Sequence, residues 1–313
     1  MKQERYLGEL DLSKTYIVTG ATSFIASGLL RELIKQGKKV YAVCRPNSKK
    51  KYRIPKSDKI EIVECELERL SELSSKINEK CDVFFHLAWA GTGDKDNLYL
   101  QNQNVQYTLD AVSAASALGC DTFVGAGSQA EYGLANTKLK PDTPVSPITG
   151  YGMGKLCAGL MSRKACEQLE IRHVWARILS IYGPMDASST LVMSMINKLL
   201  KGESPKLTNG EQIWDYLYID DCAKALYLLS EYGQASQIYN VGSGEEVLLK
   251  KYAEKIQKVV NPDVSIQFGA VPYNENTPMF LSADITSLKR DTGFSPKISF
   301  EEGINKVLAS YQP

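Results

Sequence analysis

Residues 15–26, TYIVTGATSFIA, decide the predicted fold. The first five form a continuous β-rich apolar run, as expected for a strand buried on both faces. A turn follows at Gly20, and helical apolar spacing then continues until Gly37 ends the helix. This order is typical of a dinucleotide-binding turn, in which backbone N–H groups at a helix N-terminus receive a pyrophosphate. A plain strand–helix turn is the alternative, because Ser23 and Ala26 occupy the places of the second and third glycines.

The same alternation continues along the chain. Further strands are predicted at residues 40–44, 60–63, 83–87, 122–125 and 173–176, with helical patterns between them. This alternation indicates a doubly wound parallel sheet of the Rossmann type, an α/β fold with right-handed crossovers and helices on both faces. Ligands of such sheets bind beyond the carboxyl ends of the strands.

After Pro184 the strand–helix rhythm weakens, and Pro, Gly and Ser become frequent. We therefore expect a smaller α+β lobe that binds the substrate. The predicted NAD(P)-binding Rossmann domain spans residues 1–178 plus about 212–235, and the predicted lobe spans about 179–211 plus 236–313.

Composition excludes several classes of protein. The 313 residues include 37 basic and 36 acidic side chains, so no basic field would neutralise the phosphates of a nucleic acid. No apolar run reaches the roughly 18–20 residues that span a bilayer, and the N-terminus is polar, so neither a membrane partner nor a signal peptide is expected. Seven scattered cysteines without a C-x-x-C pair indicate reduced thiols in a cytoplasmic protein. His86 and His173 lie far apart, and no metal site is predicted.

The second strand ends before a basic loop that bears on the choice of cofactor. A carboxylate at this place suits the ribose hydroxyls of NAD, whereas a cation suits the 2′-phosphate of NADP. Arg45 offers a planar fork of donors, and Asn47 and Ser48 follow it. We expect NADP(H) to be preferred, with NAD(H) possible; the alternative is an ordinary solvated basic loop.

Several motifs occur in a fixed order. Residues 151–155 read YGMGK, a Y-x-x-x-K pattern, and residues 127–133 read GSQAEYG directly after a predicted strand. Residues 86–89 read HLAW, residues 182–184 read YGP, and residues 215–221 read DYLYIDD. With the turn at residues 19–25, this ordered set resembles the extended short-chain dehydrogenase/reductase family, within it the nucleotide-sugar epimerase/dehydratase/reductase group, over most of the chain.

The Y-x-x-x-K pattern also has a chemical interpretation that does not depend on the resemblance. Tyr151 and Lys155 are four apart in a helix and therefore share one face. A nearby ammonium favours phenolate, so we expect a lowered Tyr151 pKa and proton exchange with a substrate oxygen. Ser128 would hydrogen-bond the same oxygen, and the resemblance implies that Lys155 also binds the nicotinamide ribose. The alternative is a surface helix pair without a role in catalysis.

Other site residues follow from the turn or from the resemblance. The cofactor contacts expected besides Arg45, Asn47, Ser48, Tyr151 and Lys155 are Gly20, Thr22, Ser23, Phe24, Ile25, Glu66, Leu67, Leu87, Ala88, Trp89, Asn104 and Leu179. The candidate substrate contacts are Thr92, Gln129, Ser180 and Tyr218.

The chain departs from the family pattern where the substrate diphosphate is usually held. Trp214 stands in the place of an arginine, Ser180 replaces the usual asparagine, and residues 271–282 contain no arginine. Lys198, Lys201 or Lys206 could bind a diphosphate instead. A small carbonyl compound without a diphosphate is the alternative substrate.

Together these features predict an NADP(H)-dependent reductase of a nucleotide-linked 4-keto-6-deoxysugar, with Tyr151 as proton donor. An epimerase that retains NAD is the first alternative, and a non-catalytic cofactor-sensing protein is the second. The resemblance also implies a homodimer formed by helices near residues 97–118 and 151–169; the alternative is that both helices only cover their own sheet.

Overall fold

The structure is a computed structural model that describes residues 13–311. Residues 1–12, which include the polar N-terminal segment and the start of the predicted Rossmann domain, lie outside the described residues. The strands are β1 (Thr15–Thr19), β2 (Lys39–Cys44), β3 (Ile60–Glu64), β4 (Val83–His86), β5 (Thr122–Ser128), β6 (Arg172–Ile178), β7 (Ser180–Tyr182), β8 (Ile213–Trp214), β9 (Tyr216–Tyr218), β10 (Gln237–Val241), β11 (Val247–Leu248) and β12 (Phe280–Leu281). The helices are α1 (Phe24–Lys35), α2 (Leu73–Lys76), α3 (Leu98–Ala117), α4 (Gly150–Gln168), α5 (Leu191–Leu200), α6 (Ile219–Tyr232), α7 (Leu249–Val260), α8 (Thr286–Thr292) and α9 (Phe300–Ala309).

A seven-stranded parallel sheet forms the centre, in the order β3-β2-β1-β4-β5-β6-β10. Alternate residues of each strand face opposite layers of helices, which explains the continuous apolar runs. On β1, Val18 packs in the cluster that contains α1 and α6, whereas Ile17 packs in the cluster that contains α3. The predicted doubly wound fold is confirmed.

The seventh strand, β10, was assigned by the sequence to the lobe, and this part of the predicted division is wrong. Residues 237–241 pair with β6 in the main sheet. The polar Asn240 interrupts the apolar run, so the segment does not resemble a buried strand. In the fold Asn240 is buried and its amide is satisfied, because it accepts from the Tyr132 hydroxyl and donates to the Leu139 carbonyl, each at 2.7 Å.

A third hydrophobic cluster lies in the segments that the sequence assigns to the lobe. Helices α5, α7 and α9 surround an aromatic group in which the ring centroids of Tyr252 and Phe300 are 4.5 Å apart. Two small sheets, β7-β9 and β11-β8-β12, accompany it. The carboxylate of Asp215, fully buried beside β9, accepts from the N–H groups of Ser243, Gly244 and Ala283 and ties these segments together.

Trp175 on β6 accounts for three glycines of the neighbouring elements. A Cβ atom on Gly125 or Gly127 of β5, or on Gly159 of α4, would collide with its indole ring. The absent side chains therefore let β5, β6 and the helix approach closely.

None of the helices within residues 13–311 is long and apolar enough to cross a membrane.

Candidate active site

Two adjoining cavities open at the carboxyl ends of β1, β4 and β5, where the fold predicts ligands. One, of about 550 Å³, lies over the β1–α1 turn, and the other, of about 330 Å³, lies over β5 and the first turns of α4. They share the lining residues Ser23, Phe24, Leu87, Trp89 and Thr92. A single crevice thus joins the predicted cofactor residues to the predicted catalytic residues.

The β1–α1 turn has the geometry of a phosphate-binding turn. Gly20 has φ +68°, and a Cβ atom on it would lie 2.8 Å from the Ala88 Cα, so a side chain would fill the crevice floor. Ser23 needs no such freedom and caps α1, because its hydroxyl accepts from the Ala26 N–H at 3.2 Å. The N–H groups of Phe24 and Ile25 donate to no group of the described chain, as a bound pyrophosphate requires. The residues present therefore fit a dinucleotide.

The loop after β2 surrounds a further cavity of about 370 Å³ next to this turn. Its lining residues are Thr22, Arg45, Asn47, Ser48, Lys49, Lys50 and Glu66. Ser48 donates to the Thr22 hydroxyl at 3.3 Å, which joins the loop to the turn. Arg45 is exposed and takes part in none of the ion pairs of residues 13–311. Its guanidinium is available to a ligand.

Ser128 ends β5 and lies on the wall of the 330 Å³ cavity. A reciprocal cap holds it in place: its hydroxyl accepts from the Ala130 N–H at 3.2 Å, and its own N–H donates to the Glu131 carboxylate at 2.8 Å. This is the capping-box arrangement, which orients the hydroxyl without using its own proton.

Tyr151 and Lys155 enter the same cavity from the start of α4, which Thr149 caps. The Lys155 ammonium donates to the Ala126 carbonyl at 2.7 Å and lies 3.8 Å from the centroid of a Trp89 ring. Burial lowers the pKa of Lys155 to about 7, and the Glu131 carboxylate opposes this shift.

The expected lowering of the Tyr151 pKa is wrong for this structure. Burial raises the pKa of Tyr151, and the Ser128 hydroxyl offsets this only in part. The two side chains do share a helix face, but the ammonium is held by Ala126 and Trp89 and lies 6.0 Å from the phenol ring centroid. Desolvation of the phenolate therefore prevails over attraction by the cation.

The wall formed by residues 87–90 is supported from α3. The Trp89 indole N–H donates to the Gln101 side chain at 2.8 Å, and the Asn104 amide makes two hydrogen bonds with Ala90, accepting from its N–H and donating to its carbonyl. Asn104 thus acts behind the crevice wall. Leu87, Ala88 and Trp89 line the crevice itself, as do Thr22, Ile25, Leu67, Thr92 and Leu179.

Three predicted substrate contacts do not line the crevice. Tyr218 is buried against Tyr182 in the aromatic cluster, with ring centroids 5.5 Å apart. The Ser180 hydroxyl accepts from the Trp214 indole at 2.9 Å, and Gln129 lies in the short turn after Ser128. Strand alternation explains Ser180, because its neighbours Leu179 and Ile181 line the crevice while Ser180 faces Trp214.

The sequence reasoning gave no role to Glu131, Gln101 or Arg53. The role of Glu131 could have been predicted from the sequence, because Ser128 and a glutamate three residues later match the capping-box pattern. Gln101 and Arg53 had no such pattern, because their partners are remote in sequence. No cluster of three or more His, Cys, Asp or Glu side chains suited to a metal ion occurs within residues 13–311.

A model of the NAD dependent epimerase/dehydratase family matches residues 16–242, which contain the whole crevice described above. The chain belongs to this family. The resemblance seen in the sequence motifs is therefore confirmed, and the chain is an NAD(P)-dependent enzyme of the extended short-chain dehydrogenase/reductase type.

Named relatives cover nearly the full length. CDP-abequose synthase of Salmonella typhimurium is 28% identical over 95% of this chain and 98% of that protein. The dTDP-4-dehydro-6-deoxyglucose reductase of Escherichia coli is 25% identical over 94% of this chain and 96% of that protein. UDP-N-acetylglucosamine 4-epimerase from Methanobrevibacter ruminantium M1, solved with UDP-N-acetylmuramic acid, superposes with a TM-score of 0.84 at 23% identity, covering 95% and 99% of the two chains. This last similarity shows the fold alone.

Proposed function

We propose that the protein is an NADP(H)-dependent reductase that acts on the keto group of a nucleotide-linked 4-keto-6-deoxysugar. The observation that carries the proposal is the single crevice that joins the β1–α1 phosphate turn to Ser128, Tyr151 and Lys155. The full-length similarity to a dTDP-4-dehydro-6-deoxyglucose reductase and to a CDP-abequose synthase supports this substrate class.

The side chains suit carbonyl reduction. NADPH, when bound, supplies the hydride that reduces the carbonyl carbon. A phenol is ordinarily protonated at neutral pH, and burial raises the pKa of Tyr151 further, so Tyr151 can donate a proton to the carbonyl oxygen. Ser128 hydrogen-bonds that oxygen, and the Lys155 ammonium stabilises the phenolate left behind.

The basic loop supports NADP(H) as the cofactor. Arg45 and Ser48 line the cavity beside the phosphate turn, and Lys49 and Lys50 add positive charge. A guanidinium can bind a 2′-phosphate with two parallel hydrogen bonds. Glu66 lines the same cavity, and this carboxylate could bind ribose hydroxyls, so NAD(H) is the weaker cofactor in this proposal.

The nucleotide half of the substrate has a candidate site among the lobe segments. A cavity of about 240 Å³ contains Lys206 and Lys250 and no carboxylate, and the Lys250 ammonium lies 5.0 Å from the Phe268 ring centroid. Trp214, which stands where the family has an arginine, donates to Ser180 instead. We therefore assign the diphosphate to the two lysines, of which only Lys206 was among the sequence candidates.

We also propose that the protein forms a homodimer and is located in the cytoplasm. The exposed side of α4 carries Met153, Cys157, Leu160 and Met161, an apolar stripe suited to a homodimer. A cytoplasmic location suits seven unpaired thiols.

The test is a substrate panel. The protein is incubated with NADPH and dTDP-, CDP-, UDP- and GDP-linked 4-keto-6-deoxyhexoses, while NADPH absorbance and sugar products are followed. We expect NADPH consumption with at least one sugar, its loss in Tyr151→Phe with cofactor affinity retained, and poorer use of NADH. Sugar conversion without net NADPH consumption indicates the epimerase, and cofactor binding without any turnover indicates the sensor.

A further inference from the structure

Arg53 lies at the mouth of the cofactor crevice. It belongs to a short turn, Lys51–Arg53, in the connection between β2 and β3, and it lines the 550 Å³ cavity with Gly20, Ser23 and Phe24 of the phosphate turn. The opposite wall is formed by Met185 and its neighbours, which follow β7. The Arg53 guanidinium crosses from one wall to the other, because its Nη2 donates to the Met185 carbonyl at 2.8 Å.

The other donors of this guanidinium form no hydrogen bonds with residues 13–311. Its Nε is buried and has no hydrogen-bond partner within residues 13–311. Leaving a buried donor of a charged group unpaired is costly, so the guanidinium is not fully satisfied by the described chain. The nearby Asp186 carboxylate forms no hydrogen bond and no ion pair with Arg53; it accepts from the Ala187 N–H and the Thr190 hydroxyl.

We propose that Arg53 binds the pyrophosphate of the dinucleotide and thereby links the two walls of the crevice over it. This inference rests on the proposed cofactor. A guanidinium suits phosphate oxygens, and a charge-assisted hydrogen bond from Nη1, which donates to no group of residues 13–311, would leave the bond from Nη2 to Met185 intact. Met185 has φ +69°, a conformation that a non-glycine residue adopts only when its surroundings hold it, and the bond from Arg53 helps to do so.

The pyrophosphate is favoured over the 2′-phosphate by the arrangement of the cavities. Arg45 and Ser48 surround the 370 Å³ cavity, where we place the 2′-phosphate, and Arg53 does not line it. Arg45 also lines the 550 Å³ cavity, but of these two cavities Arg53 lines only the larger one, together with Gly20, Ser23 and Phe24 of the phosphate turn. The contact should therefore be common to NADH and NADPH.

The experiment measures dissociation constants of the whole protein by isothermal titration calorimetry, with NADPH and NADH as separate ligands. Arg53→Ala should weaken both by about tenfold or more, in the same ratio, as expected for a lost charge-assisted hydrogen bond. Arg53→Lys keeps the charge but loses the fork, so its loss should be smaller. Lys56→Ala is the matched control, because it removes one exposed cation from the same connection, and it should change neither constant more than about twofold.

The salt dependence of cofactor affinity distinguishes a direct contact between Arg53 and phosphate from a purely structural role of Arg53. The penalty of Arg53→Ala should shrink as ionic strength rises, since screening weakens the contact in the wild type. Unchanged affinities, a loss confined to NADPH, or a loss independent of salt in both variants would each overturn the inference. If Arg53→Ala fails to fold, Arg53→Lys decides by the same criteria. If the wild-type protein binds neither dinucleotide, the proposed cofactor is overturned as well. If the wild-type protein and Arg53→Ala bind both dinucleotides with equal affinity, only the role of Arg53 is overturned.

Discussion

Glu131 is the side chain on which the site depends most at the scale of single residues. It is fully buried, and its carboxylate accepts from the Ser128 N–H at 2.8 Å, the Trp175 indole at 3.0 Å and the Arg177 Nε at 2.7 Å. It thereby orients Ser128, compensates the buried Arg177 and opposes the loss of the Lys155 proton. A buried pair of this kind contributes little net stability when complete, but is expensive to break.

Replacing Glu131 by Gln should therefore destabilise the protein by about 3–5 kcal/mol, because Arg177 is left buried without a counter-charge. The exposed Glu167, which pairs with Lys164 one turn away on α4, provides the control, and Glu167→Gln should cost less than about 1 kcal/mol. Urea unfolding measures both. A Glu131→Gln protein as stable as the control would show that the pair does not hold this part of the fold.

Lys155 should give stability a measurable dependence on pH. Burial lowers its pKa from 10.5 to about 7, so within this window the unfolded chain keeps a proton that the folded chain has released. The free energy of unfolding contributed by this group therefore rises with pH across the window. Lys155→Met removes the contribution while other groups continue to titrate.

The wild type should gain about 2 kcal/mol relative to Lys155→Met between about pH 7 and about pH 9. Urea unfolding of both proteins at the two pH values measures the difference, in which the titration of all other groups cancels. A difference that does not change with pH would mean that Lys155 keeps an ordinary pKa.

The β1–α1 turn is the element in which backbone geometry determines binding. Two glycines with similar backbone angles allow the effect of the close approach to be isolated. Gly20 and Gly37 have φ +68° and +72°, but a Cβ atom on Gly20 meets the Ala88 backbone, whereas one on Gly37 meets nothing within 4 Å. Both substitutions to Ala share the strain of the left-handed conformation, about 1–2 kcal/mol.

Gly20→Ala should add steric conflict to this strain and weaken dinucleotide binding by at least about tenfold, because the turn must move away from the Ala88 backbone and its N–H groups must move with it. Gly37→Ala should leave binding unchanged. Calorimetric titration with NADPH together with thermal unfolding tests the pair. Equal affinities of the two variants would contradict the assigned role of the turn.

The elements show which parts of the structure are predictable from sequence. Six strands were predicted from the sequence. Five of them are buried along most of their length, which leaves a local apolar pattern; β3, at the sheet edge, buries only Val63. Strand β10 was missed, since Asn240 is accepted in the sheet only through distant partners. The proposed catalytic residues and the β1–α1 turn follow from local motifs. The burial of Tyr218 against Tyr182 and the bond from Arg53 to Met185 depend on contacts between residues that are far apart in the sequence, which no local pattern encodes.

At the scale of the whole molecule, we expect the protein to form a homodimer through α4. The apolar stripe on α4 is exposed in the single chain, and Leu160 in its middle is 47% exposed. Leu160→Glu should convert a dimer to a monomer, since the twofold places the charge on both sides of the interface. Leu200→Glu, on the exposed side of α5, is the control because Leu200 is 50% exposed there, and it should leave the mass unchanged. Light scattering after gel filtration measures the masses, and a monomeric wild type would refute the dimer.

The packing of Trp175 has a consequence for how this enzyme can diversify. Three glycines from two elements accommodate one indole, and they belong to the same strand and helix that carry Ser128 and Lys155. Any larger residue at one of these glycines requires a smaller one at position 175, and a smaller residue at 175 alone leaves a void next to that strand and helix. Single substitutions at these four positions are therefore disfavoured. New substrate preferences should instead arise from substitutions in the lobe segments, where side chains can change one at a time.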